Sequence, residues 1–508
     1  MLGKRWVMLV AGLWIQFTAG SPYVFGLYSE SLKRALGYTQ TQLDTIAFFK
    51  GIGANVGIHA GLLYLLVPPW AILAIGSLLN LVGYLSIWLA AAGKLGRVDF
   101  WQVCVFMLLA ANAQTFLNTA VVVTSVANFP SSRGTVVGLM KGGLGLSGAV
   151  LTLIFRTLRT RDQVSYTLFA ALVPSLASLL LMFLIRPLPV AIDRFETTNL
   201  HKISGIIVAI AFLLVPISIA SPNQALAMDF SALLILLLLA SPLLVALRAE
   251  LTAEEDHSTQ EQARLLEPED PPRSSRKPDL QLGQEFTLAQ ALSSLEFWLL
   301  FVAAFCGMGT GLTTIDNVNQ LGLSLGHSKR DISIVVSLMS VWNFLGRFLA
   351  GLISDKFLHS QGFPRPAFIA IALGAQSLGH LVVAMALPGA LYVGTLAILL
   401  GYGAHWSLMP ATVSEIFGLG RFGALFNTLT VASPLGSYVF SVQVAGSFYD
   451  REAREQGSSS CYGSHCFMAT FLILAGVCVF GCLTTLVMVA TTREFYKTQA
   501  FENSRERI

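Results

Sequence analysis

Lys50, Lys141 and His405 lie inside long apolar stretches of the chain, and Asp316 lies at the end of another. A charge in these positions is costly and needs a reason. A charged side chain at the centre of a bilayer costs about 3 kcal/mol on insertion scales, so such residues tend to mark substrate or ion pathways. Either lysine could bind a substrate carboxylate or exchange a coupled proton. Asp316 could pair with a cavity lysine or carry a proton, and His405 could carry one near neutral pH. Asn112 adds a polar group to another apolar stretch and is a further candidate for substrate binding.

Each of these residues also has a purely structural interpretation, which the sequence leaves open. The two lysines could extend their ammonium groups to the membrane surface. Asp316 could cap a helix or lie in a loop at the outer surface, and a neutral His405 could be satisfied by a backbone carbonyl. Both lysines share a helical face with glycines, which allow helices to approach closely. We therefore expect Lys50 to face protein rather than lipid.

The composition of the chain requires membrane helices to position these residues. Of its 508 residues, 54% are hydrophobic and 12% are charged, and the mean hydropathy is +0.67. The charged share is about half that of a soluble domain. These values exclude a water-soluble protein, a disordered chain and a secreted disulfide scaffold. The net charge of +4 gives no reason to expect nucleic acid as a partner.

No pattern in the sequence supports covalent chemistry. A nucleophile and a base at usable spacing are missing, as are cofactor, nucleotide and metal motifs, and we expect neither an enzyme nor a bound cofactor. The glycines at Gly51, Gly53 and Gly57 imitate a nucleotide-binding loop but follow no strand.

Fourteen stretches are long and apolar enough to cross a bilayer as helices. They are roughly Trp6–Ser29, Leu43–Val67, Trp70–Ala91, Phe100–Phe129, Thr135–Phe155, Tyr166–Ile185, Ile203–Ser221, Phe230–Leu247, Leu295–Ile315, Ile332–Phe357, Ala367–Leu387, Leu391–Ile416, Gly423–Tyr449 and Phe467–Ala490. Lys and Arg are enriched in the loops that share a side with both termini, which places that side in the cytosol. The sequence predicts an all-α, multi-pass integral membrane protein that contacts lipid on its outer surface.

An acidic, proline-containing insert divides the fourteen predicted spans into eight and six. Such a segment cannot bury a core, so we expect a disordered cytosolic linker. Two six-helix halves joined by a cytosolic loop are the layout of major facilitators, with two extra helices at the periphery. The predicted divisions are an N-terminal half at 1–186, two extra helices at 187–248, the linker at 249–296, a C-terminal half at 297–490 and a cytosolic tail at 491–508.

Several segments resemble the plant nodulin-like branch of the major facilitator superfamily, of the nuclear-fusion-defective type. They include YVFGLYSESLKRALGYTQTQLD (Tyr23–Asp44), FPSSRGTVVGLMKGGLGLSGA (Phe129–Ala149), WNFLGRFLAGLISDKF (Trp342–Phe357) and VASPLGSY (Val431–Tyr438). The resemblance implies a major facilitator fold and secondary active transport by alternating access. It also implies a small organic anion as the substrate, with a proton as a candidate coupling ion, because the branch is similar to oxalate/formate and monocarboxylate carriers.

The chain departs from this resemblance at two positions of the second span. Members of the branch usually carry acidic residues where this sequence has Gly51 and Leu65. The loop that follows the second span, Leu62–Trp70, also contains no charged residue. These departures keep a second hypothesis open, in which the protein is a membrane receptor or scaffold that retains the fold without transporting.

The segment Gly346–Lys356 resembles the loop that follows the second helix of a facilitator half. It predicts a cytosolic gate in which Asp355 accepts hydrogen bonds from Arg347 or from the N-terminus of a neighbouring helix. Arg133, Glu415 and Arg421 lie in the two equivalent later loops and could complete the gate.

Two short patterns lie outside the predicted spans. Cys461 and Cys466 fall in the last non-cytosolic loop, where a disulfide is expected in an oxidising compartment. A metal site using the neighbouring histidine is the weaker alternative, since no further ligands cluster there.

The other pattern is an acidic dileucine, formed by Glu261, Leu265 and Leu266. In an extended cytosolic segment it could bind a sorting adaptor. A working signal would direct the protein to an internal membrane such as that of the vacuole. Without it, the plasma membrane is the default.

Overall fold

A computed structural model describes residues 4–38, 40–158, 164–188, 195–219, 225–264, 282–458 and 461–505. Within these ranges the chain is helical and contains no strand, as the fold prediction requires. Among the described residues, thirteen helical spans are long and apolar enough to cross a membrane. The other predicted crossing, Gly423–Tyr449, is built from a run of shorter helical segments and is therefore not a single long helix.

The N-terminal half begins the chain, and the two extra helices follow it. Its helices are α1 (Arg5–Thr18), α2 (Phe25–Leu36), α3 (Gln40–Asn55), α4 (Ile58–Leu63), α5 (Pro69–Ala91), α6 (Phe100–Asn128), α7 (Arg133–Thr157) and α8 (Ser165–Leu181). The two extra helices are α9 (Glu196–Ile219) and α10 (Ala225–Arg264).

The C-terminal half follows the linker. Its helices are α11 (Leu288–Leu292), α12 (Leu295–Ser324), α13 (Lys329–Gln361), α14 (Arg365–Met385), α15 (Ala390–Ile416), α16 (Phe422–Thr430), α17 (Ala432–Ser437), α18 (Ser447–Glu455) and α19 (His465–Arg505), with a π-helical segment at Tyr438–Gly446 between α17 and α18. Helix α7 of the first half packs along α13 of the second, and α4 packs against α16.

The second crossing is interrupted between α3 and α4, and Asn112 explains how the interruption is tolerated. A broken helix leaves backbone carbonyls without partners, which is costly inside a membrane. The Asn112 amide donates to the carbonyl oxygens of Gly53 (3.0 Å) and Val56 (2.9 Å). Its own oxygen lies 2.7 Å from His59 Nε2. Asn112 therefore holds the break together and does not line the central cavity described below.

The extra helices pack on the N-terminal half, and α9 also contacts the C-terminal half. Helix α10 packs on α1 and α7, and α9 contacts both α7 and α13. Glu196, at the start of α9, pairs with Arg5 at 3.0 Å and accepts from Ser132 Oγ at 2.7 Å. Glu250 of α10 accepts from the Trp6 backbone N–H at 2.6 Å, which satisfies a free donor at the start of α1.

The structure differs from the predicted disordered linker at both of its ends. Helix α10 continues to Arg264, because the residues after 248 include many helix formers and no glycine or proline before Pro268. At the other end, the backbone N–H of Gly283 donates to the Ile416 carbonyl at 2.8 Å. The Glu285 carboxylate accepts from the N–H of Leu419 (3.1 Å) and of Gly420 (2.7 Å).

The sorting pattern cannot be placed in this fold. Leu265 and Leu266 lie outside the described residues, and so does the side chain of Glu261, whose backbone belongs to the last turns of α10.

Candidate functional site

Asp355 lies near the end of α13 that the loop charges predict to be cytosolic, and it joins the two halves. Its carboxylate accepts from the backbone N–H groups of Gly134 (3.1 Å) and Thr135 (2.6 Å) and from the Thr135 hydroxyl (2.6 Å). These donors form the first turn of α7, where the helix dipole favours a negative charge. The structure thus places Asp355 at the N-terminus of a neighbouring helix, which is one of the two arrangements that the sequence predicts.

Arg365, at the start of α14, is the central cation of this contact, and the sequence analysis missed it. Its guanidinium donates to Asp355, to both oxygens of Glu415 (2.7 and 2.8 Å) and to Ser354 Oγ (2.6 Å). Tyr496 of α19 donates a further hydrogen bond to Glu415 at 3.1 Å. A signal was present, since Arg365 stands between two prolines ten residues after Asp355, at a probable helix start. We call Asp355, Arg365, Glu415 and the first turn of α7 the cytosolic cluster.

Two further residues of the predicted gate differ in their contacts: Arg133 bridges the halves, and Arg421 does not. Arg133 donates to the Ser414 carbonyl across the interface at 2.8 Å and to Pro130 of its own half at 3.1 Å. Arg421 is exposed and forms no ion pair within the part of the chain that the structure describes.

Arg347 was predicted to lie in the cytosolic gate, but the structure places it at the centre of the protein. Its side chain is buried, with Nη1 donating to the Lys141 carbonyl at 2.6 Å and Nε donating to Asn343 at 3.0 Å. Arg347 and Asp355 are eight residues apart on one helix, which separates them by about 12 Å along its axis. One sequence segment therefore contributes Asp355 to the cytosolic cluster and Arg347 to the centre of the protein.

Glycines allow the cytosolic ends of the halves to touch. A Cβ atom on Gly351 of α13 would overlap the carbonyl group of Gly134, in the first turn of α7. A Cβ on Gly61 of α4 would overlap the backbone of Gly423 of α16. Both pairs of helices therefore approach as closely as their backbones permit, which closes this side of the protein.

A cavity of about 80 Å³ lies between the halves, above the cytosolic cluster. Among the residues that the structure describes, its lining contains two cations, Lys141 and Arg347, and no carboxylate. The other lining residues are Tyr23, Ala54, Asn55, Gln114, Thr115, Asn118, Leu144, Leu312, Tyr402, Trp406, Phe426, Asn427 and Thr430.

Lys141 is held in this cavity by aromatic rings. Its Nζ atom lies 5.0 Å from the Trp406 ring centroid and 4.6 Å from that of Phe426, within the range of cation–π contacts. The Arg347 guanidinium carbon lies 5.7 Å from the Trp406 centroid. Lys141 is only 2% exposed, so it does not extend to the membrane surface. Rings stabilise the ammonium only in part, which leaves it able to bind an anion.

Lys50 and Asp316 face each other from opposite halves on the outer side of the cavity. They interact electrostatically, and no direct ion pair joins them. Lys50 Nζ lies 5.0 Å from the Phe25 ring centroid, and Asp316 accepts from Ser437 Oγ at 3.2 Å. Helix α12 continues to Ser324, so Asp316 lies two turns inside the helix and is neither a loop nor an N-cap residue.

His405 is fully buried in the C-terminal half and does not line the cavity. Its Nε2 atom lies 2.8 Å from the Gln376 side-chain oxygen. Gln376 in turn donates to the Gly307 carbonyl at 3.1 Å. The partner of the imidazole is thus a side-chain amide that belongs to a packing network, where the structural interpretation of the sequence expected a backbone carbonyl.

Cys461 and Cys466 are joined by a disulfide in the described structure. His465 lies beside the pair, and its Nε2 atom is 3.9 Å from a Glu452 carboxylate oxygen. With both sulfur atoms bonded to each other, this loop offers no thiolate to a metal ion.

Comparison with known families matches nearly the whole chain. The model of the Nodulin-like family matches residues 5–247, and the model of the NFD4 C-terminal domain matches residues 280–498. Protein NUCLEAR FUSION DEFECTIVE 4 of Arabidopsis thaliana is 26% identical over 97% of this chain and 90% of its own length. The oxalate:formate antiporter of Oxalobacter formigenes is 27% identical over 29% of this chain and 34% of its own length.

Solved structures of major facilitators resemble the fold. The proton:xylose symporter XylE matches with a TM-score of 0.60 and 14% identity, covering 95% of each chain. The fucose:proton symporter FucP in the outward conformation matches with a TM-score of 0.51 and 15% identity, covering 94% of this chain and 98% of its own. At these identities the likeness establishes the fold alone.

Proposed function

Since the chain belongs to the Nodulin-like family and has the fold of major facilitator transporters, we propose that it is a secondary active transporter whose substrate is a small organic anion. The membrane helices and the two halves supply the architecture for alternating access. The charge of the central cavity supports the choice of an anion.

The observation that carries this proposal is the pair of cations without a carboxylate in the cavity. Lys141 and Arg347 give the described lining a charge of +2 when both side chains are protonated. Charges in a site of low dielectric need compensation, and a carboxylate substrate would provide it. The amides of Asn55, Asn118 and Asn427 line the same cavity and can donate further hydrogen bonds. The small volume favours a compact molecule.

The present arrangement corresponds to an outward-facing state. The cytosolic cluster and the glycine contacts close the cytosolic side, whereas Tyr23 lines the cavity and is still 53% exposed. Moving to an inward-facing state must break the bonds between Asp355 and α7. The cytosolic cluster is therefore proposed as the gate that holds the cytosolic side shut. A proton is the proposed coupling ion, with Asp316 as a carboxylate that could carry it.

The membrane in which the transporter works depends on the dileucine pattern. We propose an internal membrane, such as that of the vacuole, if Glu261 and the two leucines bind a sorting adaptor. The plasma membrane is the alternative.

Uptake into proteoliposomes tests the proposed function. The purified protein is reconstituted and offered a panel of labelled anions, with and without a proton gradient, against neutral compounds of the same size. We expect uptake of at least one anion, and its loss in Lys141→Gln and Arg347→Gln variants that remain folded in the membrane. Lys94→Gln, on an exposed non-cytosolic loop, is the matched control and should transport normally.

Two results would overturn the proposal. Normal anion uptake by both cavity variants would remove the argument for an anionic substrate. Saturable anion binding without any uptake, under all gradients tested, would favour the receptor hypothesis.

A further inference from the structure

We propose that Lys50 and Asp316 form an ion pair between the halves when the outer side of the cavity closes. The pair would serve as the outer counterpart of the cytosolic cluster. This inference rests on the proposed function, because it assumes that the halves alternate between two closures. It assigns Lys50 a role in gating instead of substrate binding.

The two residues occupy facing positions on different halves. Lys50 belongs to α3 of the N-terminal half and Asp316 to α12 of the C-terminal half. Helix α17 connects them, since it contacts α3 and its Ser437 donates to Asp316 at 3.2 Å. Closing the outer side would therefore move α3 and α12 towards each other, and with them the ammonium and the carboxylate.

Water reaches both charges in the present state. The Asp316 side chain is exposed although it lies two turns inside a membrane helix, and Lys50 is partly exposed. An ionised carboxylate facing lipid would be too costly, so this exposure indicates a water-filled outer cleft. The ammonium of Lys50 rests beside the Phe25 ring and has no carboxylate within ion-pair distance among the described residues. Both partners are thus available for a contact that this state does not make.

Closure of the cleft changes the cost of each charge. When water leaves, a lone charge is stranded at high energy, whereas a pair compensates itself. The outer-closed state should therefore be stable when both charges are present or both are absent. A single unpaired charge should destabilise it. This rule predicts a non-additive pattern in a double-mutant cycle.

The cycle uses Lys50→Gln, Asp316→Asn, the double neutral variant and the charge exchange Lys50→Asp with Asp316→Lys. State is measured without any substrate, by the labelling rates of two reporter cysteines with membrane-impermeant maleimides. Tyr23→Cys reports access from outside and Ser407→Cys, which is buried beside the cytosolic cluster, reports access from inside. The protein without either reporter gives the background from its native cysteines, and Lys94→Gln is the matched control for loss of a positive charge.

We expect the ratio of outside to inside labelling to rise about tenfold in each single variant, a typical conformational coupling. The double neutral variant and the charge exchange should return towards the unmodified ratio. If Lys50 instead only binds substrate, its neutralisation should leave the labelling ratio without substrate unchanged. Single variants that label like the Lys94→Gln control, or single effects that add in the double variants, would overturn the pairing.

The assay separates this inference from the proposed function. Absence of anion uptake by the unmodified protein would count against the proposed function, while the labelling ratios would still decide whether Lys50 and Asp316 pair. Variants that fail to reach the membrane are identified by their abundance there, and the charge exchange restores the original composition of the pair.

Discussion

Replacing Asp355 by asparagine should open the cytosolic side of the protein. The carboxylate accepts three hydrogen bonds from the first turn of α7 and one from Arg365. An amide of the same shape keeps one acceptor oxygen, but it turns a donor towards groups that are themselves donors. The change leaves Arg365 paired with Glu415, so the loss falls mainly on the contact between the halves.

The size of the effect follows from the bonds that are lost. A hydrogen bond to a charged group contributes about 1.5–3 kcal/mol. A negative charge at a helix N-terminus contributes up to about 2 kcal/mol in buried geometry. Because these terms overlap, we expect a loss of about 3 kcal/mol, which is roughly a hundredfold shift towards the inward-facing state.

The assay is cysteine labelling at Ser407→Cys, from the cytosolic side, in inside-out vesicles. The labelling rate should rise strongly in Asp355→Asn and less in Thr135→Val, which removes only one donor. Asp331→Asn is the matched control, because Asp331 also accepts hydrogen bonds at a helix N-terminus, in the capping box that it forms with Ser328 of the same half. A rate in Asp355→Asn no higher than in Asp331→Asn would refute the assignment of Asp355 as a gate.

Two further predictions concern stability and location. Asn112→Leu should lower the free energy of unfolding by about 1–3 kcal/mol, because two backbone carbonyls at the break between α3 and α4 lose their donor; a melting temperature in detergent equal to that of the unmodified protein would contradict this. Replacing Leu265 and Leu266 by alanine should move a fluorescent fusion from internal membranes to the plasma membrane, and an unchanged distribution would discard the sorting signal.

Hydropathy was enough to predict the architecture, because crossing a bilayer requires long apolar helices. The contact between Asp355 and a helix N-terminus was also predictable, since an acidic residue near a helix end has few other partners in a membrane protein. The depth of Arg347 was not predictable from its neighbourhood in the sequence, because eight residues along a helix separate the gate from the cavity.

Other parts of the site depend on contacts between distant segments. Arg365 pairs with Glu415, fifty residues away, and no local sequence pattern around either residue predicts the pair. The role of Asn112 depends on a helix break that lies on another crossing. The C-terminal end of the linker packs on the second half because Glu285 accepts from the backbone N–H groups of Leu419 and Gly420. The composition of the linker does not predict these contacts.

The two cytosolic seams between the halves are built on different physical rules, and they should vary differently through evolution. At the seam of α7 and α13, closure depends on close glycine packing and also on the charge of Asp355, so a substitution of Asp355 is acceptable only if it preserves an anion. At the seam of α4 and α16, the backbones of Gly61 and Gly423 meet directly, so charge matters little and a single added methyl group is enough to force them apart. Changes in the sequence would therefore be constrained by both electrostatics and volume along one edge and by volume alone along the other.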